Sequence, residues 1–154
     1  MSRGDVVLRP ARRDEVAAIV ALLADDPLAA RRERLETPLP AAYLQAFDAI
    51  EGDQGEELVV AVAGEEVVGV LQLSVLPSLT RVGGWRAQVE GVRVAATRRG
   101  DGIGRLLLDW AIQRARARGC VLLQLSTDRD RPDALRFYQS LGFAASHHGL
   151  KLSL

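Results

Sequence analysis

The stretch "RRGDGIG", residues 98–104, places three glycines and two arginines between an apolar strand-like run and a helix-like run. Glycine is the residue most costly to order, so three within five positions imply a backbone path that a β-carbon would obstruct. At a strand-to-helix junction the first helical amides lack intrahelical partners, and the helix dipole adds partial positive charge there. Arg98, Arg99 and Arg105 add formal charge around the same point. Such a loop is built to wrap a phosphate or pyrophosphate. A glycine-rich turn that feeds a helix and holds no ligand accounts for the same residues, and the loop alone leaves both readings open.

Other chemistries are excluded more easily. A Walker-type phosphate loop needs a lysine directly after its last glycine, and the only lysine in the chain is Lys151. A G-x-G-x-x-G dinucleotide site fails on spacing. Arg105 stands where the third glycine would fall if Gly100 opened the pattern, and no acidic residue closes a second strand some 20 residues on. The single cysteine, Cys120, lies in the apolar run "GCVLLQL" and reads as a buried small hydrophobe. Two histidines and one cysteine do not make a zinc cluster, so no metal is expected. "SHH" at 146–148 lacks a G-x-S-x-G nucleophile elbow and reads as a polar strand end.

The elements that must position the loop follow from periodicity. Residues 5–11 read as a first strand, and residues 12–26 as an amphipathic helix with Val16, Ile19, Val20 and Leu23 on one face. A second helix is predicted over 40–50. Strands over 58–63 and 67–76 form a hairpin about Gly64-Glu65. A strand over 85–94 contains Gly91, which suggests a bulge or a close backbone approach. The helix after the loop carries Ile103, Leu107, Trp110 and Ala111 on one face and ends at Gly119. A buried strand over 120–126, a short helix over 131–142 and one or two final strands complete the chain. The order is β-α-α-β-β-β-α-β-α-β. It predicts an α/β (α+β) fold with a mixed, mostly antiparallel sheet and a central parallel strand-helix-strand unit.

The chain has 154 residues, 48% hydrophobic and 26% charged, which suits one soluble domain over 1–154. Zero formal net charge argues against non-specific nucleic-acid binding. No apolar run reaches about 18 residues, and the N-terminus lacks a signal-peptide core, so no membrane span and a cytoplasmic location are expected. An exposed final strand pairing two chains would give a homodimer.

"RRGDGIGRLLLDWAIQRARARG", a strand, and then "DALRFYQSLGF" resemble the GNAT superfamily of acyl-CoA-dependent N-acetyltransferases. The family's Q/R-x-x-G-x-G/A loop maps to Arg99-Gly100-Asp101-Gly102-Ile103-Gly104. Its second signature maps to Ala134, Phe137-Tyr138 and Gly142-Phe143. The resemblance runs from the first strand to the last and implies the GNAT-like fold, its twisted sheet flanked by helices. It implies that the amides of Arg99, Gly100, Asp101, Gly102, Ile103, Gly104 and Arg105 hold the pyrophosphate of acetyl-CoA, the cosubstrate. It also implies that Val92, Arg93 and Val94 pair by backbone with the pantetheine arm, in a gap between two splayed parallel strands. One departure stands out: Arg131 occupies a position where many members have asparagine.

The implied chemistry is attack of a neutral amine on a thioester. An alkylammonium has a pKa of ~10.4 and must lose a proton first, while the departing thiolate must gain one. The resemblance places the Tyr138 hydroxyl at the sulfur as the acid. Glu90, just before Gly91, is the corresponding base candidate; a salt bridge to Arg86 or Arg93 is its alternative. A strand amide within residues 92–94 would polarise the thioester carbonyl. The expected acceptor is a primary amine on a small molecule, in a pocket shaped by residues 26–40 and 76–85. Two alternatives stand beside it: acetylation of a protein or peptide amine, and a CoA-binding sensory domain without turnover.

Overall fold

The computed structural model describes residues 5–154. Five strands form one sheet in sequence order: β1 (Val6–Pro10), β2 (Glu56–Ala63), β3 (Glu66–Leu76), β4 (Arg86–Val94) and β5 (Leu122–Gln124). The first four pair antiparallel, and β4 with β5 is parallel, as the crossover between them requires. The helices are α1 (Val16–Ala24), entered through a 3-10 turn at Arg13–Glu15, and α2 (Ala41–Glu51). A single turn, α3 (Thr80–Gly83), a long α4 (Ile103–Ala117) and α5 (Pro132–Ser140) follow. By internal contacts the chain divides into two compact units, Met1–Gln124 and Leu125–Leu154.

Within the first unit, strand alternation sends β2 and β3 side chains to two helical layers. Val60, Val62 and Val70 pack with Ile19 of α1, and Val16 and Val20 pack with Phe47 of α2. The other face takes α4 through Ile103, Leu107, Leu108, Ala111 and Ala115, all buried. Gly69 makes that contact close. A β-carbon there would stand 3.1 Å from Ile103 Cγ2 and 3.2 Å from Leu107 Cδ1.

Two sequence expectations change. The strand predicted over 120–126 is three residues long, Leu122–Gln124. The final strands do not form, and residues 143–154 carry neither helix nor strand. Leu150, Leu152 and Leu154 alternate as strand residues do. Yet they are exposed, and no ladder among the described residues takes them up; a strand without a partner has nothing to hold it.

Candidate functional site

The glycine loop spends its freedom at two of its three glycines. Gly100 has φ 89° and Gly102 has φ 81°, both left-handed, while Gly104 lies inside α4. Arg98 does not point charge at a guest. Its Nε donates to Asp101 Oδ2 at 2.7 Å, and the Asp101 amide donates back to the Arg98 carbonyl at 3.3 Å, which ties the loop across its base. Gly102 caps α4 with no side chain to offer, and the first α4 bond runs from the Leu106 amide to the Gly102 carbonyl at 3.0 Å. The amides of Ile103, Gly104 and Arg105 therefore have no intrahelical acceptor. Three aligned donors at the positive end of a fifteen-residue helix make an anion cradle. Exposed Arg99 lies beside it, and Arg105 reaches Asp109 only at 3.8 Å.

The strand before the loop is interrupted where Gly91 suggested. Val70 pairs with Arg93 and Gln72 with Glu90, so Gly91 and Val92 together oppose Leu71. This is a β-bulge with Gly91 at φ 62° and Leu23 of α1 packed over it. On its other edge β4 pairs with β5 only from Arg86 to Gln88, although β4 runs on to Val94. The last six β4 residues thus leave their backbone groups on that edge outside any β5 ladder. One is partly used: Arg93 Nη1 donates to the Val92 carbonyl at 2.8 Å.

The polar residues before the bulge share one face of the sheet, the one that carries α1 and α2. Gln124 Nε2 donates to Gln88 Oε1 at 3.0 Å, and Gln88 Nε2 donates to Glu90 Oε1. On the neighbouring strands Gln72 Nε2 and Ser74 Oγ both donate to Glu56 Oε2, at 3.0 and 2.8 Å. Glu90 is exposed, and its carboxylate is oriented by Gln88 rather than neutralised by Arg86.

In the second unit, Pro132 opens α5, where its missing N–H costs nothing. Tyr138 is half-buried, with its ring 5.4 Å from Phe137 and edge-on to Phe143 at 5.9 Å. The Phe143 amide returns to the Tyr138 carbonyl at 3.2 Å, and Gly142 has φ 99°. The aromatic signature therefore fixes the tyrosine ring from two sides.

Cys120 is half-buried, and burial pushes its thiol above the usual range, so it stays protonated at neutral pH. Ser146 and His147 form an exposed local pair at 2.6 Å. Among the described residues no group of three His, Cys, Asp or Glu side chains could hold a metal ion, and no helix is long and apolar enough to cross a membrane.

The description of the acetyltransferase (GNAT) family matches residues 17–143, which span the bulged strand, the loop and the aromatic signature. The chain belongs to the GNAT acetyltransferase family. Among GNAT relatives, an aminoalkylphosphonate N-acetyltransferase from Salmonella typhimurium is 35% identical over 69% of this chain and 68% of its own. A glucosamine 6-phosphate N-acetyltransferase from Trypanosoma brucei brucei is 32% identical over 57% of this chain and 58% of its own. A solved structure from Bacillus halodurans C-125, described as a transcriptional regulator, is 53% identical, covers 97% of this chain and 99% of its own, and superposes with a TM-score of 0.95. The GNAT fold is thus established, with its mixed five-stranded sheet and parallel β4–β5 pair.

Gln88, Gln124 and Arg86 escaped the sequence reading. The signal was present: "RAQVE" alternates polar residues at 86, 88 and 90 with Ala87 and Val89, which are buried. A central strand with one polar face is unusual enough to mark a site.

Proposed function

We propose that this protein transfers the acetyl group of acetyl-CoA to a primary amine on a small molecule. The carrying observation is the set of unpaired amides at Ile103, Gly104 and Arg105 under two left-handed glycines. That cradle lies one 3-10 turn and the glycine loop beyond a strand whose ladder to β5 stops early. The loop suits a pyrophosphate, and the β4 edge that runs beyond its β5 ladder, from Val92 to Val94, suits the amide groups of a pantetheine arm.

When bound, acetyl-CoA supplies an acetyl carbonyl activated as a thioester. Glu90 takes the proton that the ammonium must lose, and Gln88 holds the carboxylate in place for it. The amine nitrogen then forms the new C–N bond as the C–S bond breaks, and it sheds its second proton, which restores the phenol that protonates the sulfur. Tyr138 delivers a proton to the leaving sulfur; a phenol near pKa ~10 and a thiol near ~8.5 are close enough for that transfer. Both relatives named above act, by name, on small amines or amino sugars, which supports a small-molecule acceptor.

A second reading has its own support. The solved relative at 53% identity is described as a regulator, which fits a domain that binds CoA without turnover. A free-thiol assay across an amine panel separates the two. Catalysis predicts thiol release that falls by about 10²–10⁴ in Glu90→Gln and in Tyr138→Phe, with acetyl-CoA affinity kept. Tight acetyl-CoA binding with no thiol release for any amine would favour the regulator.

A further inference from the structure

We infer that Arg86 is an anion-recognition residue, and that the acceptor carries a negatively charged group in addition to its amine. The inference rests on the reading of Glu90 as the acceptor-side base and extends it to substrate class.

The Arg86 Nε is buried with no hydrogen-bond partner among the described residues. Arg9, Arg13, Arg34, Arg98, Arg114 and Arg136 each have a carboxylate partner. Arg86 has none among the described residues. Its register partners are Leu76 on β3 and Leu122 on β5, whose apolar side chains offer no acceptor. The two carboxylates on the same sheet face are already engaged, Glu56 by Gln72 and Ser74, and Glu90 by Gln88. A guanidinium with a desolvated Nε and no internal partner is a strong, unspent anion donor.

Its place on the strand supplies the second half of the argument. Arg86, Gln88 and Glu90 lie at alternate positions of β4 and so share one face. Residues four apart on a strand have backbones separated by about 13 Å. The strip thus presents a cation at one end, an anion at the other and an uncharged amide between them. A ligand complementary to it has its amine at Glu90 and an oxyanion, such as a phosphonate, phosphate or carboxylate, at Arg86.

The test uses full-length protein and matched acceptors: n-alkylamines, α,ω-diamines and ω-aminoalkylphosphonates of two to six carbons. Wild type should favour at least one aminoalkylphosphonate over the alkylamine of equal length by about tenfold or more in kcat/KM, mainly through KM. Arg86→Met should bring that ratio to about unity, and Arg86→Lys should keep part of it. Calorimetric titration of the preferred aminoalkylphosphonate (the longest, if none is preferred) into the CoA-loaded protein should show about tenfold weaker binding in Arg86→Met. Equal losses for all acceptors, or equal phosphonate binding by wild type and Arg86→Met, would overturn the proposal. Absence of turnover with every amine would instead overturn the Glu90 reading, and the titration would still decide the role of Arg86.

Discussion

Three glycines allow the loop's purpose to be separated from its cost. Gly64, Gly100 and Gly119 all have left-handed backbones, with φ 63°, 89° and 75°, and a β-carbon added at any of them meets no atom within 4 Å. Alanine at each position therefore brings the same penalty without a clash. Placing an L-residue in this region costs about 1–2 kcal/mol, and reduced freedom in the unfolded chain returns about 0.4–1 kcal/mol. The net is about 1 kcal/mol, or a melting temperature lower by about 2–4 °C for a chain of this size. Only Gly100 belongs to the proposed cradle. A shift of its backbone to relieve strain misdirects neighbouring amides and loses about one charge-assisted hydrogen bond, about 1.5–3 kcal/mol. Calorimetric titration with CoA should show Gly100→Ala about ten- to a hundredfold weaker than wild type, with Gly64→Ala and Gly119→Ala unchanged. Equal affinities in the three variants would refute the assignment of this loop to the pyrophosphate.

Two further outcomes follow from packing and charge. Leu107 is fully buried between α4 and the sheet, so Leu107→Ala should cost about 2–5 kcal/mol in urea unfolding; a loss under about 1 kcal/mol would contradict the packing described. Glu15 is held below the usual carboxylate range chiefly by its hydrogen bond from Arg9 and further by the Arg12 amide, against an opposing effect of burial. Its contribution to stability is present above the ordinary value of 4.5 and is lost as pH falls through the lower folded value. Urea midpoints measured between neutral and acid pH should therefore fall less steeply on acidification in Glu15→Gln, from a lower start, and parallel profiles would contradict the pairing.

Local backbone chemistry was the most legible part of the sequence. Gly91 announced the bulge, Gly64 the hairpin turn, and the glycine loop the start of α4, because each needs a conformation that a single residue type supplies. Non-local relations were less so. The polar row from Gln124 through Gln88 to Glu90 exists only once β5 lies parallel to β4 in the observed register, which no local pattern sets. The alternating leucines near the C-terminus carry a strand's pattern without a strand's partner, and pairing rather than propensity decides that element. Arg86 looked like one arginine among many. Its distinction is a buried Nε without a hydrogen-bond partner among the described residues, which only the packed structure reveals.

The central claim is that the loop at 98–104 receives the pyrophosphate of acetyl-CoA. Thermal melting of the wild type and of a Gly102→Glu, Gly104→Glu double variant, each with acetyl-CoA, CoA, NAD or ATP, tests it most directly. At a hundredfold excess over Kd, a ligand that binds only the native state stabilises it by about 2.7 kcal/mol. The account predicts a shift of that order with acetyl-CoA and CoA in the wild type, little with NAD or ATP, and none in the variant. No shift with acetyl-CoA in the wild type, or an equal shift in the variant, would contradict it.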